Sequence, residues 1–490
     1  MTLEKPDYLH GRDREWATLS AFATDPAMGA RLALVYGRRR QGKTMLLEAL
    51  ARAGGGFVFT GLPLTARQNL VRLSRAYAAF TGEVATAFAD WEQAVDALMR
   101  LGERSDQPCL VVLDEFQYLM DGEPALPGFI QLALEPLGRA QTRSRTRLVL
   151  CGSALHVMRG LLGGSAPLRG RASREVMIRP FGFRDSADFW DLSADPQLAF
   201  QTHALLGGTP AYRGMAGAAP SSVQDFGRWV AEAPLADTSA LFREGAVILH
   251  EDPELSDVGL YYAVLGAIAR GSCRRGEIAA ALGRSDQSLA HPLTVLEHTQ
   301  LIERVDDAFR QRRPVYRITE PVIRLHQLLI APHEPELVGG AAQQVWEENA
   351  DTVTSKIYGP HFEEIARQWA LWHASPETLG ARASAVLSAT LACRLHQQGH
   401  ELDVVAIRRQ PYDRDAVLAI GEVKSTAKPV GDGDLERLDH LRELIPADRY
   451  EEPPRLLLFA RHGFTRELRQ SAASRRDVEL VDAERLYTGG

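Results

Sequence analysis

Lys43 and Thr44 are the first residues of the chain whose types and spacing could do chemistry. They end the segment GRRRQGKT (residues 37–44), which follows the apolar run RLALVY and precedes the helical pattern MLLEALARA. A glycine-rich loop between a strand and a helix lets backbone N–H groups surround phosphate oxygens, and the helix dipole attracts the same charge. We expect Lys43 to reach the β- and γ-phosphates of ATP and the Thr44 hydroxyl to bind Mg²⁺. The predicted nucleotide-binding residues here are Gly37, Arg38, Arg39, Arg40, Gln41, Gly42, Lys43, Thr44 and Met45.

Two acids end a second apolar run, CLVVLDEFQYL (residues 109–119). Asp114 is placed to hold Mg²⁺, and Glu115 is placed to orient and deprotonate an attacking water. A protein that only senses ATP can do without the second carboxylate, so Glu115 favours hydrolysis. The alternative is that the two acids only cap a strand.

A polar residue and a basic segment follow a third apolar run, RLVLCGSA, which ends near Ser153. Ser153 is a candidate for contacting the γ-phosphate of bound ATP. The segment APLRGRASREV carries Arg169 and Arg171 just before another strand pattern. Arg171 is the candidate for stabilising transition-state charge from a neighbouring subunit, and a solvated basic loop is the alternative.

A second group of chemically able residues lies near the end of the chain, in GHELDVVAI and AVLAIGEVKST. If the strands pair symmetrically about the turn centred between residues 412 and 413, Asp403 faces Glu422, and Lys424 shares a strand face with Glu422. Buried carboxylates must be paired or must coordinate a cation. The site is therefore either an internal ion pair or a metal site, with Asp403 and Glu422 holding Mg²⁺ or Mn²⁺ and Lys424 steadying phosphate charge.

Composition limits the classes of protein to which the chain can belong. It has 490 residues, 45% apolar and 24% charged, with a net charge of -7, so several folded domains are expected and any polyanion site must be local. The four cysteines show no metal-ligand spacing, and no signal sequence or membrane helix is visible. We expect a reduced, cytoplasmic, soluble protein without a membrane partner.

A winged helix is the predicted fold of the segment from about residue 257 to residue 330. Three short amphipathic helices precede two strand-like pieces, LIERV and PVYRIT, joined by a basic loop. Such a domain can bind DNA through its third helix and its wing, but here the local charge is nearly neutral and Pro292 should kink the third helix. Docking to another protein, or within the chain itself, is the alternative. The wing arginines are Arg310, Arg312 and Arg313.

The motifs of the first 330 residues resemble the archaeal-type ATPases of the AAA/STAND group. The resemblance rests on LHGRDREWATL, YGRRRQGKT, LDEFQYL, LCGSA, PLRGR and GGTPAY. It implies that Gly11 and Arg12 lie near the adenine of bound ATP, and that GGTPAY belongs to a helical lid. It also implies ATP and Mg²⁺ as cofactors.

The last 140 residues resemble the PD-(D/E)xK restriction-endonuclease-like superfamily. ELD (residues 401–403) stands at the first aspartate, EVK (residues 422–424) at the second acid and lysine, and Glu363 at a helix carboxylate found in some nucleases. Leu402 replaces the usual proline. The resemblance implies metal-dependent cleavage of phosphodiesters, with retention of the acids for binding alone as the alternative. Arg461 and His462, after a later strand, could touch phosphate or lie on the surface.

Together these patterns predict an α/β multidomain protein with a P-loop AAA-type parallel sheet, a helical lid, a winged helix and a C-terminal restriction-endonuclease-like domain. We expect it to bind and hydrolyse ATP, to act on DNA and to form a homo-oligomer. The alternative is a nucleotide-gated regulatory ATPase whose last two domains only bind DNA or protein. The predicted boundaries are 1–182 (ATPase core), 183–256 (lid), 257–330 (winged helix), 331–350 (linker) and 351–490 (nuclease-like domain).

Overall fold

The structure is a computed structural model that describes residues 3–84, 87–164, 166–250, 255, 257–310, 313–393, 397–410 and 414–490. The predicted wing residue Arg312 and the centre of the predicted hairpin turn lie outside the described residues. The chain divides into two compact units, Met1–Pro180 with Thr209–Ala211, and Phe181–Gly208 with Tyr212–Gly490. Among the described residues, no helix has both the length and the apolar character that crossing a membrane requires.

A five-stranded parallel sheet forms the centre of the first unit. Its order is β2-β3-β4-β1-β5, so the strand before the phosphate loop lies in the interior of the sheet. The strands are β1 (Arg31–Tyr36), β2 (Phe57–Thr60), β3 (Cys109–Asp114), β4 (Thr146–Gly152) and β5 (Ala172–Met177). Sheets of this kind are buried on both faces, which explains the continuous apolar runs in the sequence.

Helices cover both faces of this sheet. Alternate residues of β1 show the two layers, because Leu34 packs into one apolar cluster and Val35 into the other. The α-helices of the first unit are Asp13–Ala23, Lys43–Gly54, Ala66–Thr81, Trp91–Arg100, Phe116–Gly122, Leu126–Ala133, Arg139–Arg143 and Leu155–Gly160.

The second unit begins with helices and continues into the segment predicted as a winged helix. The first α-helices are Phe183–Phe189, Pro196–Leu206, Ala211–Ala216, Phe226–Glu232 and Ala240–Val247. Helices Val258–Ala269, Arg275–Ala281 and Ala290–His298 follow, then the antiparallel strands β6 (Ile302–Val305) and β7 (Val315–Ile318). This is the order of elements that a winged helix requires, and the fold identity stays a prediction.

Pro292 affects the third of these helices differently from the predicted kink. A 3₁₀ turn at Asp286–Leu289 comes first, and the α-helix begins at Ala290. Pro292 therefore lies in the first turn, where the missing N–H has no intrahelical partner to lose. The helix simply starts later than the apolar pattern indicates.

Residues 331–350, predicted as a linker, contain two short helices. Glu334–Val338 and Ala342–Glu348 are helical, and each buries one apolar residue, Leu337 and Val345. The glycine pair stands between them. Proline in the first turn and an apolar contact per helix are sufficient to order a segment whose composition is typical of linkers.

A mixed five-stranded sheet ends the second unit, in the order β12-β11-β10-β9-β8. Strands β8 (Ala385–Cys393), β9 (Gln398–Arg408) and β10 (Ala416–Lys424) are antiparallel neighbours, while β11 (Arg455–Ala460) and β12 (Val478–Asp482) run parallel to β10. Further helices of the unit are Pro321–Leu325, Ala350–Thr352, Gly359–Trp372, Pro376–Leu379, Asp432–Glu443, Arg466–Ala473 and Ala483–Thr488.

One apolar core joins the early helices, the predicted winged helix and one face of the last sheet. Phe200, Leu265 and Phe459 belong to the same buried cluster. The other sheet face packs on helices Asp432–Glu443 and Arg466–Ala473 through a separate cluster. The continuous core explains why residues from Tyr212 onward form one compact unit.

Candidate functional site

Two glycines shape the loop between β1 and helix Lys43–Gly54. A Cβ atom on Gly37 would lie 2.3 Å from the carbonyl oxygen of Ile178, so any side chain there would displace backbone. Gly42 has φ +81°, which L-residues rarely adopt, and a Cβ atom there would meet open space. Glycine is needed at position 37 because the Ile178 backbone lies so close, and at position 42 because of the positive φ.

Lys43 is held inside this loop by the loop's own carbonyl groups. Its Nζ donates to the carbonyl oxygens of Gly37 (2.7 Å) and Arg38 (2.8 Å), and its side chain is buried. Burial lowers the pKa of Lys43. The ammonium group therefore stands at the centre of the loop, where a phosphate would complete its charge balance.

Thr44 and Asp114 meet across the sheet edge. The Thr44 hydroxyl donates to Oδ2 of Asp114 at 2.7 Å, and Oδ1 of Asp114 accepts from the N–H of Glu115 at 2.9 Å. Asp114 is almost fully buried at the end of β3. A hydroxyl oxygen and a carboxylate oxygen in contact are the donor types that Mg²⁺ prefers, so the pair fits this cation.

Glu115 has an uncommon backbone conformation, and two polar side chains bind its carboxylate. Its φ is 49°, and its Oε2 accepts from Oγ of Ser153 (2.9 Å) and from Nε2 of Gln117. Gln117 also donates to Oγ of Ser153 at 3.0 Å. Positive φ at a non-glycine residue marks strain that is often kept for function. Gln117, two residues after Glu115, was not predicted as a site residue.

The other residues predicted for the nucleotide site make different contacts around the loop. Arg12 donates to the carbonyl oxygens of Gln41 (3.1 Å) and Arg179 (2.6 Å), so it buttresses the phosphate loop. Gly11 precedes it with φ 56°. Arg39 bonds the Tyr118 hydroxyl, Ala211 donates to the Arg40 carbonyl at 3.4 Å, and Met45 is exposed. The amide group of Gln41 is buried with no partner among the described residues.

The two arginines proposed for transition-state charge contact backbone in the same unit. Nη1 of Arg171 donates to the carbonyl oxygen of Leu134 at 3.0 Å, and Nη1 of Arg169 donates to that of Gly164 at 2.8 Å. Arg169 is exposed and Arg171 is half-buried. Their role toward a neighbouring subunit stays a prediction.

Comparison with known proteins agrees with this geometry. The AAA domain family matches residues 27–157. Residues 27–157 are called the AAA domain below. Solved structures with a similar fold include a Walker-type ATPase of Pyrococcus abyssi, with TM-score 0.50 and 21% identity over 67% of this chain and 98% of that chain. The ORC2 protein of Aeropyrum pernix has TM-score 0.42 and 15% identity over 71% of this chain and 97% of that chain. Cdc6p of Pyrobaculum aerophilum has TM-score 0.35 and 15% identity over 71% of this chain and 96% of that chain. A search of curated proteins gave no match.

Outside the AAA domain, the structure brings Asp403, Glu422 and Lys424 to one end of the β9–β10 pair. Gly421 pairs with Val404, so the next place along both strands sets Glu422 opposite Asp403. Lys424 Nζ lies 2.6 Å from Oε1 of Glu422. The symmetric register predicted from the sequence holds at this end of the hairpin.

Burial disfavours the charged form of Asp403, whereas two cations contact Glu422. Desolvation and the nearby carboxylate of Glu363 raise the pKa of Asp403 to about 7, and Glu422 adds to the shift. Oε2 of Glu422 is buried and has no hydrogen-bond partner among the described residues. Arg437, a residue that the sequence analysis missed, lies 3.2 Å from Oε1 of Glu422. Its helix position gives no sequence signal for this contact.

Metal binding at this position would rely on few protein groups. Within the described ranges, no group of three or more His, Cys, Asp or Glu side chains is arranged to hold a metal ion. Two carboxylates with water can suffice for Mg²⁺, which keeps several waters when bound. The residues present therefore fit Mg²⁺ or Mn²⁺ better than a metal that needs a full protein cage.

Arg461 and His462 are both half-buried, and Arg461 packs on aromatic rings. The guanidinium of Arg461 lies over the rings of Tyr358 (4.8 Å) and Phe200 (5.5 Å), and its Nε donates to Nε2 of His462 at 2.9 Å. Burial lowers the pKa of both residues. Their aromatic neighbours lie far away in the sequence, which is why the packing could not be predicted.

Proposed function

We propose that the AAA domain binds ATP with Mg²⁺ and hydrolyses the bond to the γ-phosphate. The observation that supports this most directly is the 2.7 Å contact between the Thr44 hydroxyl and Asp114, beside Glu115. In this proposal Thr44 and Asp114 hold the metal ion, Lys43 binds the β- and γ-phosphates and Glu115 orients the attacking water. Bound Mg²⁺ supplies positive charge that offsets charge developing on the phosphate oxygens.

Ser153 and Gln117 act in this proposal by positioning Glu115. Both side chains bind Oε2 of Glu115 and each other, so the carboxylate has one preferred orientation. Both bonds are on Oε2, which leaves Oε1 of Glu115 to accept a proton from the attacking water.

Substitution of the two key residues tests ATP hydrolysis. Lys43→Ala is expected to lose ATP binding, while Glu115→Gln is expected to bind ATP and to lower kcat by about 10²- to 10⁴-fold. Glu92→Gln, at an exposed position in helix Trp91–Arg100, serves as the matched control. Phosphate release measured with purified protein gives the rates. Equal rates for the wild type and Glu115→Gln would contradict the proposal.

As a second function, we propose metal-dependent cleavage of DNA phosphodiesters by the C-terminal sheet. The supporting observation is the convergence of Asp403, Glu422 and Lys424 at one strand end, with the pKa of Asp403 raised to about 7 by burial and by Glu363. A divalent cation held by Asp403 and Glu422 would favour the ionised form of Asp403 and polarise a bound phosphate. Lys424 is then placed to steady the charge that forms on it.

A nicking assay tests the second function. Supercoiled and single-stranded DNA are incubated with Mg²⁺ or Mn²⁺, with and without ATP, and with wild-type protein or its Asp403→Ala variant. Cleavage is expected only from the wild type, and Asp106→Ala, which changes a fully exposed aspartate, is expected to cleave normally. Equal nicking by wild type and Asp403→Ala, or none with either metal, would count against it.

A regulatory ATPase is the competing candidate, and the wing provides an observation in its favour. Oδ2 of Asp307 accepts from the N–H of Thr390 at 2.9 Å, and the N–H of Ala308 donates to the carbonyl of Ser388 at 3.0 Å. Arg449 stacks on Phe309 at 5.2 Å and donates to the Ala308 carbonyl. The wing thus docks on the edge strand β8, an intramolecular role that the sequence analysis left open.

The regulatory candidate predicts that ATP changes assembly without producing a DNA product. Light scattering of Glu115→Gln with and without ATP measures the mass of the assembly. The rate of ATP hydrolysis by Arg171→Ala tests whether an arginine from a neighbouring subunit completes the ATP site. A constant mass in both states would disfavour this candidate. A mass that rises with ATP, together with uncleaved DNA in the nicking assay, would favour the regulatory candidate over DNA cleavage.

A further inference from the structure

Arg324 is a buried cation that the proposed functions leave unexplained. It lies in helix Pro321–Leu325 and is 6% exposed. Among the described residues, it makes no hydrogen bond and no ion pair. A buried guanidinium without a partner is costly, and burial lowers its pKa. Among the described residues, the charge of Arg324 therefore lacks a partner in direct contact.

Nearby acids do not supply that partner. Glu363 lies 3.6 Å from Arg367, and Oε1 of Glu364 accepts from Gln368 at 3.1 Å. Burial and the Glu303 carboxylate raise the pKa of Glu364 to about 7, so this acid carries only part of a charge near neutrality. These carboxylates act on Arg324 through space without forming a contact.

Arg324 lines a cavity of about 410 Å³ between the predicted winged helix and the C-terminal sheet, within the second unit. Arg317 lines it too. Its Nη1 atom is buried with no partner in the part of the chain that the structure describes, while its Nη2 donates to the Ser388 hydroxyl at 3.3 Å. Arg313 and Lys356 add two exposed cations to the same walls. Tyr316 supplies an aromatic ring. Carboxylates line other parts of the same walls, namely those of Glu277, Asp307, Glu363, Glu401 and Asp403.

We propose that this cavity binds a phosphate ester of about nucleotide size, with the phosphate on the guanidinium groups of Arg324 and Arg317. Guanidinium forks match phosphate oxygens in geometry, and pockets of this volume hold small ligands. The ring of Tyr316 can stack on a base. Because Asp403 borders the cavity, the inference deepens the second proposed function and rests on it for the link between ligand and substrate.

The ligand is either a free nucleotide or one nucleotide of a DNA strand, and three probes separate these sources. Inorganic phosphate, thymidine 5′-monophosphate and an eight-nucleotide oligothymidylate are titrated by calorimetry in EDTA. All proteins carry Lys43→Ala, so that the ATP site does not contribute. Tighter binding of the oligonucleotide than of the mononucleotide indicates a strand, and the reverse order indicates a free nucleotide. Both results support a phosphate site.

Arg324→Met is expected to weaken binding of these probes by about tenfold or more, since a charge-assisted contact is lost. The variant should fold, because it removes an unpaired buried charge, and its thermal midpoint is expected at or above that of its parent. Arg317→Gln is a second variant with the same expected direction. Arg466→Met, on the exposed side of helix Arg466–Ala473, is the matched control and should bind normally.

Asp403→Asn separates this inference from the cleavage proposal. In EDTA it is expected to bind the phosphate probes as well as its parent or better, while it loses metal-dependent cleavage. If the phosphate probes bind but neither the parent nor a variant cleaves DNA, the cleavage proposal fails and the phosphate site stands. Absence of binding by all three probes, or equal binding by the parent and Arg324→Met, would overturn the inference.

Discussion

Asp403 accepts a hydrogen bond from the backbone N–H of Val423 at 2.8 Å through its Oδ2 atom. Val423 lies between Glu422 and Lys424. The bond therefore ties the Asp403 carboxylate on β9 to the backbone of β10 between the two other residues of the acidic site. The site is consequently a property of the strand register. A shift of the pairing by one residue would send Glu422 and Lys424 to the opposite face of the sheet.

The first prediction concerns the pH dependence of stability at Asp403. Burial and Glu363 raise its pKa from 3.8 in the unfolded chain to about 7 in the folded protein. Between these values the folded protein holds a proton that the unfolded chain has lost, so the free energy of unfolding falls as pH rises through this window. The slope from this group is at most about 1.4 kcal/mol per pH unit.

Asp403→Asn should remove this slope. In urea unfolding, the stability of the variant relative to wild type is expected to increase from pH 5 to pH 8. Glu364, whose pKa burial also raises to about 7, titrates in both proteins and cancels in the comparison. Asp106→Asn, which changes an exposed aspartate, should show no such trend. A relative stability that is constant across this pH range would mean that Asp403 titrates normally.

The second prediction distinguishes a metal site from a plain ion pair at Glu422. Mn²⁺ is expected to raise the thermal midpoint of wild-type protein at pH 8, because the cation offsets the charge of both carboxylates. Glu422→Gln should lose this shift, and Lys424→Met should keep it, since the amine is not a metal ligand in the proposal. If Mn²⁺ leaves all three midpoints unchanged, Glu422 serves Lys424 and Arg437 as an internal counter-ion only.

The third prediction tests the close approach at Gly37. Gly37→Ala places a methyl group 2.3 Å from the Ile178 carbonyl oxygen, which the backbone must relieve by moving. We expect a loss of about 1–3 kcal/mol in the free energy of unfolding and weaker ATP binding. Gly128→Ala is the control: nothing lies within 4 Å of its added Cβ atom, and alanine favours the helix there. Similar effects from both changes would refute the steric argument.

The sequence predicted the phosphate loop well because its chemistry is local. Strand, glycine loop and helix are contiguous, so the positions of Lys43 and Thr44 follow from residues within ten places of them. Asp114 is distant in sequence, yet parallel strands end at one edge of the sheet, which brings it to Thr44. Gln117 escaped notice because its polar contacts depend on the turn of the helix after β3.

The acidic site was only partly predictable, for two physical reasons. A register shift between Val417 and Ala419 separates two pairings, so Ala416 pairs with Arg408 while Gly421 pairs with Val404. The symmetric hairpin predicts the second pairing but not the first, since no residue type in the segment specifies the irregularity. The docked wing and Arg437 come from distant segments, and only tertiary packing brings them to the site.

The last prediction concerns Ser153, whose hydroxyl links Glu115 and Gln117 at 2.9 and 3.0 Å. Ser153→Ala removes that link, so the carboxylate of Glu115 loses one of its two side-chain anchors. We expect kcat for ATP hydrolysis to fall by about tenfold while the KM for ATP stays the same, because the lost interaction orients the attacking water and does not bind the ground state. Ser105→Ala, in an exposed turn, is the control and should leave both constants unchanged. A raised KM with unaltered kcat would instead assign Ser153 to nucleotide binding, and Glu115 would then owe its orientation to Gln117 and its own backbone.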